Sequence, residues 1–330
     1  MKWIHVENAV LGFVELPFRV IAQASRPWWL LLGISIGFCV AWWCKPGVLA
    51  GRASAAVVDH RTPSVSDNVD CGSSASCTIL AFGDVQQGPA IFSQLLDRTF
   101  AQANCLLGLG DMVQHSCPTH CAEWIPFANC FANRDFSRIQ DIALALGNHD
   151  GPHDWWWRTF GVSWSFRTWG AGTVAVVILD SYEQPVIRNS LLGGGAQRTF
   201  LQEAVRAQAW TGARWRIAAF HHAPTTELWE GACYYPPRQE LQETVALLDA
   251  AGCDLLLCGH AHGYQRGKLG RMLFVVSGGG GGWLDRWCRD VPEIEVALAV
   301  HHVLLVEATD AALTVRAIGT DGREIDRVAR

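Results

Sequence analysis

The sequence predicts an α/β fold, one layered domain over residues 78–330, preceded by an N-terminal transmembrane helix. Three observations carry this reading. Short apolar runs of strand length alternate with stretches of helical period. The polar residues best suited to chemistry stand just after those runs. Near the N-terminus, an uncharged stretch is bracketed by paired tryptophans.

That stretch, Trp28–Cys44, holds 17 uncharged residues between Arg26-Pro27 and Lys45-Pro46. As a helix it would span about 26 Å against a hydrocarbon core of about 30 Å. Trp28 and Trp29 at one end and Trp42 and Trp43 at the other suit the two interfacial belts. Residues 1–27 are then an N-terminal flank, 28–44 the membrane anchor and 45–77 a linker rich in Ala, Ser, Val and Asp. Gly33, Gly37 and Ala41 recur every four residues, a small-residue face for helix–helix self-association. A signal peptide cleaved at Ala53-Ser54-Ala55, giving a secreted protein, and a buried core helix are the competing readings. Ten of the 12 cysteines lie outside the span, with close pairs such as Cys71/Cys77 and Cys117/Cys121. An even number in such pairs suits disulfides and an exported catalytic domain on a single-pass anchor; Cys105, Cys253 and Cys258 also read as small buried hydrophobes.

Beyond the linker, strands are expected at Thr78–Phe82, Cys105–Leu109, Ile142–Leu146, Thr173–Leu179, Trp215–Phe220 and Asp254–Leu257. Helical spacing falls near Ala90–Ala103, Gln197–Gln208 and Arg238–Ala251. Further apolar runs at Met272–Val276, His301–Val306 and Ala312–Ile318 supply a second set of strands. With 50% hydrophobic and 17% charged residues the chain is not a disordered tail. A net charge of −5 gives no basic footprint, so nucleic acid is not expected as a partner.

Five strand ends deliver the chemistry: Asp84 and Gln86, Asp111, Asn148 and His149, His221 and His222, then His260 and His262. Oxygen and imidazole donors in this mix suit iron, manganese or zinc, and their number exceeds what one ion needs, so two are expected. Capping or turn chemistry accounts for Asp84, Asp111 or Asn148 taken singly, but not for the set with the histidines.

The order Gly83-Asp84-Val85-Gln86, Gly110-Asp111, Gly147-Asn148-His149-Asp150, Phe220-His221-His222-Ala223-Pro224 and Gly259-His260-Ala261-His262 resembles the calcineurin-like metallophosphoesterases, closest to the branch with purple acid phosphatases. The resemblance implies a sandwich of two mixed β-sheets flanked by helices, over about residues 78 to 320. It implies a dinuclear centre that hydrolyses a phosphate ester with metal-held hydroxide. Carried over, Asp84, Asp111 and His262 hold the first metal, with Gln86 where many members have histidine. Asn148, His221 and His260 complete the second, Asp111 bridging. His149 becomes general acid or phosphate-stabilising group with Asp150 as its orienting partner, and His222 lies at the substrate rim. The tyrosine that purple acid phosphatases carry three residues after the bridging aspartate is Gln114 here, which speaks against a purple ferric site. The acid-phosphatase likeness favours phosphomonoesters; a phosphodiesterase and an inactive metal- or partner-binding module are the alternatives.

Three other motifs need a reading. His115 to Cys121 is a surface insertion with disulfides or, less in keeping with its spacing, a small zinc site. Gly278–Gly282 lacks the lysine of a P-loop and reads as close backbone packing beside the metals. Trp155, Trp156 and Trp157 supply core packing, with one or two of them lining the substrate mouth beside His153.

Overall fold

The computed structural model describes residues 69–71, 76–115, 123–151, 156, 160, 163–181, 195–229 and 239–330. All belong to one compact unit within residues 57–330. The expected anchor at 28–44, with Gly33 and Gly37, lies outside the described residues. Among the described residues no helix is long and apolar enough to cross a membrane.

In chain order the elements are β1 (Val69–Cys71), β2 (Cys77–Phe82), α1 (Pro89–Thr99), β3 (Cys105–Gly108), α2 (Trp124–Asn129) and β4 (Asp141–Leu144). Then come β5 (Ser165–Trp169), β6 (Val174–Ile178), α3 (Ala196–Ala204), α4 (Gln208–Gly212), β7 (Trp215–His222), α5 (Gln239–Ala250) and β8 (Leu255–Gly259). The last are β9 (Tyr264–Leu269), β10 (Met272–Ser277), β11 (Ile294–Leu298), β12 (His302–Ala308), β13 (Leu313–Gly319) and β14 (Glu324–Ala329).

They form two mixed sheets, as expected. One has eight strands in the order β1-β5-β6-β7-β8-β10-β9-β11, the other six in the order β14-β13-β12-β2-β3-β4. Parallel pairing runs through β2, β3 and β4 in one and through β6, β7, β8 and β10 in the other. The segment expected as linker is not all linker: β1 pairs in parallel with β5, because Val69–Cys71 can extend the open edge of that sheet.

Strand alternation divides each apolar run between two cores. In β2, Cys77, Ile79 and Ala81 face the layer between the sheets, with Leu107, Val176, Ile217, Leu257 and Val306. Phe82 points the other way, its ring 4.9 Å from Phe92 of α1 and 6.4 Å from Phe127 of α2. In β8, Leu255 and Leu257 fill the inter-sheet layer, while Leu256 and Cys258 pack with Phe200 and Leu201 of α3 and Leu241 and Leu248 of α5. Each long helix buries one stripe at i, i+3, i+4 and i+7: Phe92, Leu95, Leu96, Thr99 in α1 and Leu241, Thr244, Val245, Leu248 in α5. Pro89 opens α1 at a position whose missing N–H costs nothing. Asp326 of β14 links the two sheets, accepting hydrogen bonds from the Tyr264 hydroxyl and Arg266 Nε of β9, both at 2.6 Å.

Disulfides are not seen among the described residues. Cys77, Cys130, Cys253 and Cys258 are free thiols. Cys77 is buried with its Sγ 3.6 Å from that of Cys105, so the disulfides that the even number of cysteines led one to expect are not formed by Cys77. The reason is packing: these cysteines serve as small core side chains, and burial pushes the Cys253 thiol up to about 12.

Candidate metal centre

The strand ends of both sheets meet at one rim, and the backbone there is held in unusual conformations. Asp84, Gln86, Asp111 and His260 all have positive φ, at 57°, 43°, 56° and 72°. Such conformations cost about 1–3 kcal/mol each and persist where the surroundings over-determine them. Here they do: Asp84 N–H donates to the Gly110 carbonyl at 2.9 Å, Gln86 N–H to that of Asp111 at 3.2 Å, and Gly282 N–H to that of Asp84 at 2.8 Å. Gly110 has φ +96°, and a Cβ there would lie 2.4 Å from His221 Nδ1.

Two groups of donor atoms result. In the first, His262 Nδ1–H donates to the Trp283 carbonyl at 2.6 Å, which turns Nε2 toward Asp84 Oδ1 at 3.4 Å and the Gln86 amide at 3.3 Å. The Gln86 amide also lies 3.3 Å from Asp111 Oδ2. In the second, His221 Nδ1–H donates to the Leu109 carbonyl at 2.8 Å. Its Nε2 then lies 3.2 Å from Asp111 Oδ2, 3.1 Å from Asn148 Oδ1 and 3.2 Å from His260 Nδ1. A ligating histidine is ordinarily fixed in this way, its other nitrogen donating to a carbonyl. Asp111 stands between the groups. A register shift in β7 between Ala219 and His222 accompanies the divergence of its two terminal histidines, His221 buried and His222 half-buried.

The electrostatics favour cations. Asp84 and Asp111 are buried, and the ion pairs they make are with histidines. Burial would raise the Asp111 carboxyl, yet the His221 charge and hydrogen bond, with His149, draw it down to about 2. Burial opposes charge on His221 and His262, but the aspartates beside them lift these to about 10 and about 9. Buried carboxylates facing imidazole nitrogens, with amide oxygens at hand, are a donor set for borderline divalent or trivalent ions. The residues present therefore fit two metals, one among Asp84, Gln86, Asp111 and His262 and one among Asp111, Asn148, His221 and His260. Gln86 needs only a half-turn of its amide to present oxygen.

His149 and Asp150 part company. His149 Nδ1 bonds the Gln114 carbonyl at 2.7 Å, which leaves Nε2 facing the site, 3.9 Å from Asp111 Oδ2. A main-chain carbonyl thus orients His149, and Asp150 does not, contrary to expectation. Asp150 is fully buried and instead accepts backbone N–H bonds from Asp111 at 2.7 Å, Met112 at 2.8 Å and Gly147 at 3.1 Å, with Val113 at 3.4 Å. It clamps the Gly147–Asp150 loop to the Gly110–Asp111 loop. Burial and the Asp111 charge push it up to about 7 against those donors. His222 accepts support from Ser181: its N–H donates to Ser181 Oγ at 2.9 Å and its Nδ1 lies 2.9 Å from the same atom. Its ring is 4.3 Å from that of His260, at the rim. His153 lies outside the described residues, as do Trp155 and Trp157. Trp156 is buried, its ring 4.7 Å from Phe160.

Sequence reasoning passed over three groups. Asp285 accepts the His262 N–H at 2.7 Å and returns its own N–H to the His262 carbonyl at 2.9 Å. Ser181 fixes His222, and Trp229 lies 5.0 Å from the His260 ring. None follows a motif, so no signal marked them. The Gly278–Gly282 run does lie against the metal ligands: a Cβ on Gly282 would stand 3.1 Å from Gln86 Oε1 and from His262 Cε1.

Solved structures share this architecture. A purple acid phosphatase from yellow lupin (Lupinus luteus) seeds superposes with a TM-score of 0.60 at 16% identity, over 78% of this chain and 54% of that one. GAP50 of Plasmodium, described as the anchor in the inner membrane complex, gives 0.62 at 10% identity, over 77% and 88%. A PhoD structure gives 0.54 at 11%, over 79% and 69%. The chain thus spans about half the length of the lupin protein. No curated protein matches the sequence. The model of the calcineurin-like phosphoesterases matches residues 77–264, more than half the chain and a span that runs from β2 through the Asp84 loop to His262. By that match the chain belongs to the calcineurin-like phosphoesterase family.

Proposed function

We propose that the chain is a metal-dependent phosphomonoesterase with a dinuclear centre. The observation that supports this most is the pair of donor groups sharing Asp111, with His149 Nε2 facing them from the rim. Two bound ions would supply Lewis acidity toward a phosphoryl oxygen and lower the pKa of water held at the site. The chain's own residues do the rest. Asp150 keeps the two ligand loops in register, and Asp285 and the Trp283 carbonyl fix His262. Because His149 Nδ1–H is committed to the Gln114 carbonyl, Nε2 is the nitrogen left to give a proton to the leaving alkoxide or to hold a phosphoryl oxygen. His222, braced by Ser181, borders the place where the ester would lie.

Preference for monoesters rests on the likeness to acid phosphatases. The test compares 4-nitrophenyl phosphate with bis(4-nitrophenyl) phosphate, using full-length protein reloaded with iron, manganese or zinc. Metal-dependent monoester turnover that falls about 100-fold or more in His149→Ala supports the reading. Turnover of the diester alone makes it a phosphodiesterase, and silence from folded, metal-loaded protein overturns the enzymatic reading. Anchoring by residues 28–44 with an exported catalytic domain belongs to the same proposal. Labelling by a membrane-impermeant thiol reagent in intact cells supports export, and labelling only after lysis contradicts it.

A further inference from the structure

Among the described residues, large apolar side chains are exposed at only four places, and three of them belong to the stretches beside His262. Trp283 is 74% exposed, Trp287 62% and Leu298 37%. Other tryptophans of this chain, Trp124, Trp156, Trp169 and Trp210, are almost wholly buried, so exposure is not the rule for indoles here.

The loop that carries the first two is firmly built. Asp285 exchanges hydrogen bonds with His262, Trp229 N–H donates to the Arg286 carbonyl at 2.9 Å, and Cys288 N–H to that of Glu227 at 2.7 Å. Leu228 and Trp287 form an isolated antiparallel bridge. Trp283 follows Gly282, where a Cβ would crowd Gln86 and His262, and its own carbonyl holds the His262 ring. Trp229, next to Leu228, lies against His260. The loop thus borders the metal ligands, Trp283 through its carbonyl on His262 and Trp229 through its ring beside His260, and the exposed Arg286 lies between the two exposed indoles in the sequence.

We propose that Trp283 and Trp287, with Trp229, form an aromatic wall that takes the organic part of the substrate, and that this part carries an aromatic ring, as in a nucleotide or a phenolic ester. The inference rests on the phosphomonoesterase reading. Rigid indoles on a fixed loop lose little freedom on stacking, and every aromatic ring offers them a face. The neighbouring guanidinium adds a cation for stacking or for a second anionic group.

The test uses metal-loaded full-length protein and three phosphates with matched primary-alkoxide leaving groups: 2-phenylethyl, 2-cyclohexylethyl and n-butyl. The wall predicts kcat/KM for the phenylethyl ester above both others. Trp287→Ala and Trp283→Ala lower it by about 5-fold or more, chiefly through KM, so that the phenylethyl-to-butyl ratio falls toward one, and Trp287→Phe restores it. Nucleoside monophosphates and phenyl phosphate then separate the two sources of ring. Equal use of all three esters, or an equal fall on all three in the variants, overturns the wall. A cyclohexylethyl ester used as well as the phenylethyl ester replaces it with a surface for aliphatic chains. Calorimetric binding of phenylphosphonate against methylphosphonate requires no turnover. Loss of the phenyl preference in Trp287→Ala supports the wall even if the hydrolytic reading fails, and no preference in the wild type contradicts it.

Discussion

Replacing Gly110 by alanine should strike the centre without removing a ligand. Gly110 has φ +96°, where an L side chain is strained, at a cost of about 1–2 kcal/mol. The new Cβ would also lie 2.4 Å from His221 Nδ1 and 2.7 Å from Cγ, so the ring must move. Moving it breaks the 2.8 Å bond to the Leu109 carbonyl and leaves buried polar atoms unpaired, at about 1–3 kcal/mol. The two effects together destabilise the metal-free domain by about 2–5 kcal/mol. Displacing the group that aims a ligand weakens metal binding by about 10–100-fold. Urea unfolding of full-length protein in chelator reads the first effect, and calorimetric titration with manganese reads the second. A variant within about 0.5 kcal/mol of wild type that binds manganese equally well would refute the geometry of the second donor group.

Two further outcomes follow from the packing. Phe92 is fully buried among Phe82, Phe127 and Phe131, with ring centroids 4.9–5.9 Å away, so Phe92→Ala should cost about 3–5 kcal/mol in urea unfolding while its folded fraction keeps wild-type metal affinity. Burial holds His302 down to about 4, below its usual 6.5, between Ser277 Oγ and the Val300 carbonyl. As pH falls from 6.5 to 4 the unfolded chain binds this proton first, so stability is lost across that window, by about 3 kcal/mol in all. His302→Gln should remove that share of the loss. Equal slopes of stability against pH in the two proteins would contradict the assignment.

Much of this was legible in the sequence because burial on both faces writes continuous apolar runs. Thr78–Phe82, Trp215–Phe220 and Met272–Val276 are strands for that reason, and donors follow the first two because parallel strands open their carboxyl ends to one rim. The strands that escaped notice are edge or near-edge ones. Glu324–Ala329 and Tyr264–Leu269 carry charged residues that pair across the molecule, Arg266 with Asp326 among them, and so lack an apolar signature. Orientation was the least legible property of the centre. Main-chain carbonyls of Leu109, Gln114 and Trp283 aim His221, His149 and His262, and a carbonyl has no residue type. Asp150 looked like a partner for His149 from sequence adjacency, whereas its four donors come from two loops that the chain brings together only on folding.

The claim on which the account turns is that two ions share Asp111. Metal content of the full-length protein, measured by mass spectrometry after reloading and gel filtration, tests it most directly, alongside Asp111→Asn. Shared ligation by Asp111 predicts about two ions per wild-type chain and at most one in the variant, with phosphoester turnover lost. Two ions retained in Asp111→Asn, or one in the wild type at full activity, would contradict it.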